Sequence, residues 1–108
     1  MLSVDTATVA LMEILDRIKL AENEIRLRDA LDKSGNDMLR RMQYCFPILL
    51  QIQMEVIQKH EFPPDGDGVI KFQQEINALE KEVPEIKRLN EELRSILIPP
   101  LPTAVSLR

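Results

Sequence analysis

The 108-residue sequence has few of the residues that build β-sheets and tight turns. It contains no tryptophan, one tyrosine, three phenylalanines and three glycines. All-β sandwiches and barrels need aromatic or β-branched strands joined by many turns, so this composition argues against them. One cysteine cannot form an internal disulfide, and one histidine cannot seed a zinc cluster. The length and the ordinary share of apolar residues favour one small, soluble helical domain.

Charge and hydropathy exclude further classes of protein. Fourteen basic and eighteen acidic residues give a net charge of −4, which disfavours non-specific binding of nucleic acid. The apolar runs are shorter than the roughly 18 residues of a membrane-spanning helix. Asp5, Glu13 and Asp16 interrupt any secretory signal at the N-terminus. We therefore expect no nucleic-acid or membrane partner, and the single thiol favours a reducing compartment, the cytoplasm.

Apolar residues recur every three or four positions, which is the period of an amphipathic helix. The first such segment covers about residues 6–20. In the next, an apolar seam alternates spacings of four and three through Leu31, Gly35, Met38, Met42, Cys45, Leu49, Ile52 and Val56. Because the phase is kept across Gly35, the seam predicts one long central helix over residues 23–60. Pro47 cannot donate a hydrogen bond to the Gln43 carbonyl, so we expect a kink there.

The residues Ser34, Gly35, Asn36 and Asp37 leave a second arrangement open. Glycine is unfavourable inside a helix, and Asn or Asp can cap the start of a new one. In this alternative, Gly35 breaks the long helix and the pieces fold back into a closed four-helix bundle. The predicted fold class is all-α, with three or four helices.

One strong break follows the central helix. Residues 62–68 contain two prolines and two glycines. The next two segments, residues 69–83 and 84–97, again place apolar residues three and four apart, and Pro84 is well placed to open a helix. We therefore expect a helical hairpin after the turn and a single helical domain over residues 1–98.

Three prolines follow the last helical segment. Pro99, Pro100 and Pro102 cannot continue a helix, so residues 99–108 are predicted to form a short disordered tail. The sequence IPPLP at residues 98–102 can adopt the polyproline II conformation and resembles a short ligand of WW-type domains. A weak WW-type contact through these prolines is therefore one candidate partner interaction.

The sequence DGDG at residues 65–68 resembles the middle of a calcium-binding EF-hand loop. Asp65 and Asp67 would take the third and fifth loop positions. The first and twelfth positions are Pro63 and Gln74, which cannot supply the carboxylate ligands found there. The favoured interpretation is a tight turn with Asp67 near a helix start. A calcium-responsive regulator that uses this turn is the alternative function.

Motifs of catalysis are missing from the sequence. It contains no Ser/His/Asp set, no phosphate-binding glycine loop and no metal-ligand spacing. Cys45 falls on the apolar seam, where a free cysteine behaves as a small hydrophobic residue. His60 ends the predicted long helix, where it suits the helix dipole. We expect a protein without enzymatic activity, catalytic residues or a cofactor.

The predicted long helix would be longer than a compact domain of this size. It would span about 57 Å, whereas the domain would be roughly 35 Å across. The other helices could not cover its seam, so the seam is expected to pair with a second copy or with partner helices. The contact candidates are Leu31, Met38, Met42, Leu49 and Ile52. The predicted function is a helical protein–protein interaction module, or a small subunit or adaptor of a cytoplasmic assembly.

Several short motifs occur in an order and spacing typical of one family. They are residues 36–38, 51–53, 55–57, Phe62 and GDGVIKF at 66–72, with 84–86 and 99–100 in register. Over about residues 36–100 the sequence resembles the protein C-ten family, a small eukaryotic family named after a gene-rich cluster. The resemblance implies a cytoplasmic protein with no assigned activity, whose vertebrate relatives are associated with brain development. It also implies that relatives carry helix-compatible residues at the positions of Ser34 and Gly35, which favours the long helix.

Overall fold

The computed structural model describes residues 2–97, and every regular element in this range is a helix. The elements are α1 (Val4–Ile18), α2 (Ala21–Ser34), α3 (Met38–Ile57), a 3₁₀ turn (Gln58–His60), α4 (Gly66–Glu80) and α5 (Pro84–Leu97). The all-α class is confirmed, and residues 2–97 form five α-helices in place of the three or four predicted. The predicted tail, with Pro99, Pro100 and Pro102, lies outside the described residues.

Polar side chains cap α1 and α4, and a proline opens α5. The Ser3 hydroxyl accepts a hydrogen bond from the Thr6 N–H, so α1 begins about two residues before the predicted start. The Asp65 carboxylate accepts from the Gly68 N–H at 2.9 Å and caps α4. Pro84 is the first residue of α5, as its sequence position predicts. These caps satisfy N–H groups that have no carbonyl partner within the helix.

The long central helix predicted over residues 23–60 is wrong, because the chain turns at Gly35. This glycine has φ +58° and ψ −130°, a conformation that residues with a β-carbon rarely adopt. Asp37 then caps α3 by accepting hydrogen bonds from the N–H groups of Leu39 and Arg40. The longest dimension of the Cα trace is 38 Å, well short of a 57 Å helix. Pro47 lies inside α3, as predicted.

The helix α2 folds back along α3. The Arg26 side chain donates to the Gln51 Oε1 at 3.3 Å, so the start of α2 lies beside the second half of α3. Leu27 and Ala30 are the apolar residues that α2 buries. The preserved phase across Gly35 reflects two helices that each present an apolar face to the core. Periodicity records which residues are apolar, but not whether the backbone between them stays helical.

The second half of α3 packs with α1, α4 and α5 around one apolar core. Its largest fully buried side chains are Leu11, Ile14, Leu49, Ile52, Val56, Ile57, Phe72, Ile76 and Ile86. Phe62, in the turn before α4, meets Phe72 edge to face, with ring centroids 5.6 Å apart. The turn at residues 62–68 is therefore anchored to the core.

A cluster of ion pairs joins α1 to the end of α3. The Lys59 Nζ lies 2.6 Å from the Glu13 Oε2, and Arg17 contacts both Glu13 and Glu55 at 3.2 Å. The hydrogen bond from Lys59 is the main reason why the pKa of Glu13 lies below its ordinary value. The cluster stabilises the contact between these helices as long as Glu13 is ionised.

Candidate functional site

Four large apolar side chains lie exposed on the first half of α3. Met38, Leu39, Met42 and Phe46 have exposed fractions between 38% and 67%. A helix rotates about 100° per residue, so these four positions share one side of α3. We call them the α3 face. Ile70 on α4 is a further exposed apolar residue, and it lines a groove together with Phe46.

The exposure of the α3 face follows from the length of α3. This helix has 20 residues, whereas α1, α2, α4 and α5 have 14 or 15. At 1.5 Å per residue, α3 is about 8 Å longer than its neighbours. Its buried residues begin at Cys45 and continue to Ile57. The seam is therefore buried in its second half, while Met38 and Met42 at its start face water.

The five predicted contact residues fall into three groups. Met38 and Met42 are exposed, and Leu31 is partly buried against the core. Leu49 and Ile52 are only 1% and 2% exposed. The structure places both side chains in the core, where α3 packs with α1, α4 and α5, and not on the exposed surface of α3.

Sequence reasoning missed three residues of the exposed surface. Leu39 and Phe46 lie beside the seam, where the apolar residues of α3 indicate a broader buried face, but both side chains are exposed. Ile70 precedes the buried Phe72 by two positions and so points to a different side of α4. The break at Gly35 is the signal that could have indicated this surface. It makes α3 a separate helix, so the start of α3 has only α2 as its neighbour in the sequence.

A groove of about 390 Å³ lies between α3, α4 and α5 and adjoins the α3 face. Its apolar lining consists of Phe46, Leu49, Val69, Ile70 and Leu93. Its polar lining consists of Gln53, Gln73, Asn77, Asn90 and Arg94. We call it the amide groove, because four of these five polar side chains end in a carboxamide. It combines an apolar surface with groups that can both donate and accept hydrogen bonds.

Asn90 anchors the polar side of the amide groove. Its side chain is fully buried and accepts a hydrogen bond from the Gln73 Nε2 at 3.1 Å. Its Nδ2 donates to the Asn77 Oδ1 at 3.3 Å and to the Glu80 Oε1. Glu80 also pairs with Arg94 at 2.8 Å. The hydrogen bond from Asn90 is the main cause of the lowered pKa of Glu80. This network links α4 to α5 and shapes one wall of the groove.

The residues of the EF-hand-like motif form the start of α4. The helix begins at Gly66, so most of the twelve positions that an EF-hand loop would occupy are helical. Asp65 caps this helix, and Asp67 lies exposed in its first turn. Among residues 2–97 no group of three or more His, Cys, Asp or Glu side chains is placed to hold a metal ion. The turn with Asp67 near a helix start, the favoured interpretation, is present.

The other two residues singled out in the sequence also lie within the helical framework. Cys45 is buried and free, and burial raises the pKa of its thiol. His60 ends the 3₁₀ turn, and its Nε2 is buried without a hydrogen-bond partner among the described residues.

Within residues 2–97, no helix is both long enough and apolar enough to cross a bilayer.

The comparison with known families covers nearly the whole chain. The family model described as Protein C10 matches residues 3–107. The chain belongs to the Protein C10 family. This is the family that the motifs in residues 36–100 resemble, and the match extends through α1 and α2 as well.

Vertebrate members of the Protein C10 family are similar in sequence to this chain over most of its length. The human and mouse proteins named Protein C10 are each 37% identical to this chain over 100 residues, which is 93% of the chain and 79% of each relative. The zebrafish protein (Danio rerio) is 37% identical over 102 residues, covering 94% of this chain and 84% of its own length. No solved structure gives a significant match.

Proposed function

We propose that this member of the Protein C10 family is a non-enzymatic protein–protein interaction module, a small subunit or adaptor of a cytoplasmic assembly. The observation that carries the proposal is the α3 face, where Met38, Leu39, Met42 and Phe46 stand exposed side by side. Single exposed apolar residues are common on protein surfaces, but a cluster on one helix face is typical of an interface. The chain's single, buried cysteine supports the cytoplasmic part of the proposal.

The geometry of the surface suits a helical partner. Met38, Met42 and Phe46 follow one another at intervals of four residues, which is the row of side chains that packs into the groove of a neighbouring helix. Methionine side chains adapt their shape readily, so two of them can accommodate different apolar partners. The adjoining amide groove offers hydrogen bonds at the edge of the contact. We infer that the α3 face is the primary contact site.

The experiment compares two variants that introduce the same charge at equally exposed positions. Met42 on the α3 face is 49% exposed, and Met12 on α1 is 50% exposed. We expect Met42→Glu to abolish the capture of specific proteins in affinity purification with mass spectrometry, and Met12→Glu to leave it unchanged. The captured protein must then bind the purified chain in a titration that shows the same difference between the variants.

Analytical ultracentrifugation of the purified chain tests self-association through the same surface. A concentration-dependent dimer that Met42→Glu dissociates would support interaction through the α3 face with a second copy as the partner. The proposal fails if the chain remains a monomer at all concentrations and the two variants capture the same proteins in the same amounts.

A further inference from the structure

We infer that the α3 face and the amide groove together bind an amphipathic partner helix whose apolar side is flanked by carboxylates. This inference rests on the proposed function and specifies the chemistry of the partner. It is carried by the distribution of charge around the α3 face, which differs from that of the chain as a whole.

The first part of α3 is basic in an acidic protein. The chain has a net charge of −4, yet α3 carries Arg40 and Arg41 and no acidic residue before Glu55. At about 100° per residue, Arg41 lies on the Met38 side of the α3 face and Arg40 lies beyond Leu39. The two arginines therefore flank the exposed apolar residues on both sides.

The acidic residues near this surface lie on the neighbouring segments and not on the first part of α3, and those of α2, Asp29 and Asp32, accompany Arg28 and Lys33. Asp37 caps α3 and lies 3.8 Å from Arg40, a long ion pair between exposed side chains. On α4, Asp67 and Lys71 carry opposite charges near Ile70. At the groove, Glu80 is engaged by Asn90 and Arg94. The first part of α3 itself carries only positive side chains, which complements a partner with carboxylates.

The same charges argue against a second copy as the occupant. In a two-fold symmetric dimer both partners use the same surface, so each would bring Arg40 and Arg41 to the contact. Like charges that meet across an interface are costly and lower the rate of association. A partner helix with glutamate or aspartate beside its apolar residues would instead bring opposite charge to this part of α3, and its carboxylates could form charge-assisted hydrogen bonds with the exposed Arg40.

The concave shape of the site favours a peptide over a membrane surface. The amide groove is a recess between three helices, and the hydrogen bonds of Asn90 hold two of them together. A large apolar side chain of a partner helix can enter it between Phe46 and Leu93, and Gln53 and Gln73 can bond to polar groups beside it. Electrostatic binding to anionic lipids is usually supplied by clusters of four or more basic residues. The first part of α3 has two, and the others at this site, Lys71 and Arg94, are accompanied by Asp67 and Glu80.

The test uses two synthetic helical peptides with the same stripe of leucines. One has glutamates on both sides of the stripe, and the other has lysines at the same positions. Fluorescence anisotropy with the full chain measures both affinities. We expect the glutamate peptide to bind on the order of tenfold more tightly, and the difference to shrink when salt is added. Met42→Ser, which removes apolar contact without adding charge, should weaken binding of both peptides.

A charge-reversal variant and its control test the role of the arginines. We expect Arg40→Glu to remove the preference for the glutamate peptide. Arg28→Glu makes the same change at an exposed position on α2 and should keep the preference. Arg41→Gln serves as a second, milder variant, and it should reduce the preference without reversing it. Circular dichroism confirms that each variant retains its helices.

Several results would overturn the inference and leave the proposed function to its own experiment. Equal affinity for both peptides would mean that apolar contact alone operates, and tighter binding of the lysine peptide would contradict the charge argument. Failure of both peptides to bind would also reject it. Binding to vesicles of phosphatidylcholine and phosphatidylserine without peptide binding would assign the surface to lipid. A dimer that Met42→Glu dissociates would assign it to a second copy.

Discussion

The carbonyl oxygen of Pro63 occupies the space beside Gly68 that a side chain would need. A β-carbon built on Gly68 would lie 1.7 Å from that oxygen, which is far inside van der Waals contact. A β-carbon built on Gly66, two residues earlier, would have no such neighbour within 4 Å. The first turn of α4 therefore packs directly against the backbone of the turn that precedes it, and only one of the two glycines is required by this contact.

We expect Gly68→Ala to destabilise the fold and Gly66→Ala to leave it unchanged or slightly more stable. The first substitution forces α4 away from Pro63 and should lower the free energy of unfolding by about 1–3 kcal/mol. The second reduces the freedom of the unfolded chain at an open position and should contribute up to about 1 kcal/mol. Urea denaturation measures both. Equal midpoints for the two variants would contradict the close packing at Gly68.

Gly35→Ala tests the break between α2 and α3. No atom lies within 4 Å of the added β-carbon, so the cost arises from the positive φ alone, about 1–3 kcal/mol. Thermal unfolding should show a lower Tm for Gly35→Ala than for Gly66→Ala, which adds the same methyl group at an equally open site. A variant that is instead more stable, more helical and more elongated in solution would restore the long helix of the sequence prediction.

Met42 and Leu49 belong to the same apolar seam and should respond differently to truncation. Met42→Ser removes an exposed side chain and should change the free energy of unfolding by less than about 0.5 kcal/mol. Leu49→Ala leaves a cavity in the core and should cost about 2–5 kcal/mol. Chemical denaturation gives both values. A large loss of stability in Met42→Ser would show that its side chain is buried in solution.

Asn90→Ala should destabilise the contact between α4 and α5. The substitution leaves Gln73 and Glu80 without their buried partner, at a cost of about 1–3 kcal/mol. Asn77→Ala, at an exposed position in the same network, should cost less. The Asn90→Ala variant should also raise the pKa of Glu80, because the main interaction that lowers it is lost. An NMR titration of the Glu80 carboxyl group that shows no change would contradict this network.

The ion pairs of Glu13 predict loss of stability in acid. Because its pKa is lowered in the folded state, Glu13 contributes stability above its ordinary pKa of 4.5, and this contribution disappears as the pH falls through the lower, folded-state pKa. The pair is partly exposed, so we expect an effect of no more than about 1 kcal/mol. Glu13→Gln should reduce the fall in Tm on acidification. Glu22→Gln, on the exposed side of α2, should leave it as it is.

Local sequence patterns were sufficient to predict the helical class, most helix positions and many core residues. Spacings of three and four identified the buried face of α1 and the two helices of the C-terminal hairpin, because an amphipathic helix must bury one side whatever it packs against. The prolines and glycines at residues 62–68 located the turn before α4, since they disfavour a continuous helix. Pro84 likewise indicated the start of α5.

The exposed surface depended on tertiary structure. Met42 and Leu49 occupy equivalent positions in the apolar seam, but α4 and α5 lie beside Leu49 and leave Met42 in water. Which half is buried depends on where neighbouring helices begin and end, and no spacing within α3 records this. The break at Gly35 was also ambiguous, because two packed helices and one continuous helix produce the same apolar phase. The sequence thus determined which residues are able to form an interface, and the packing of five helices decided which of them remain exposed.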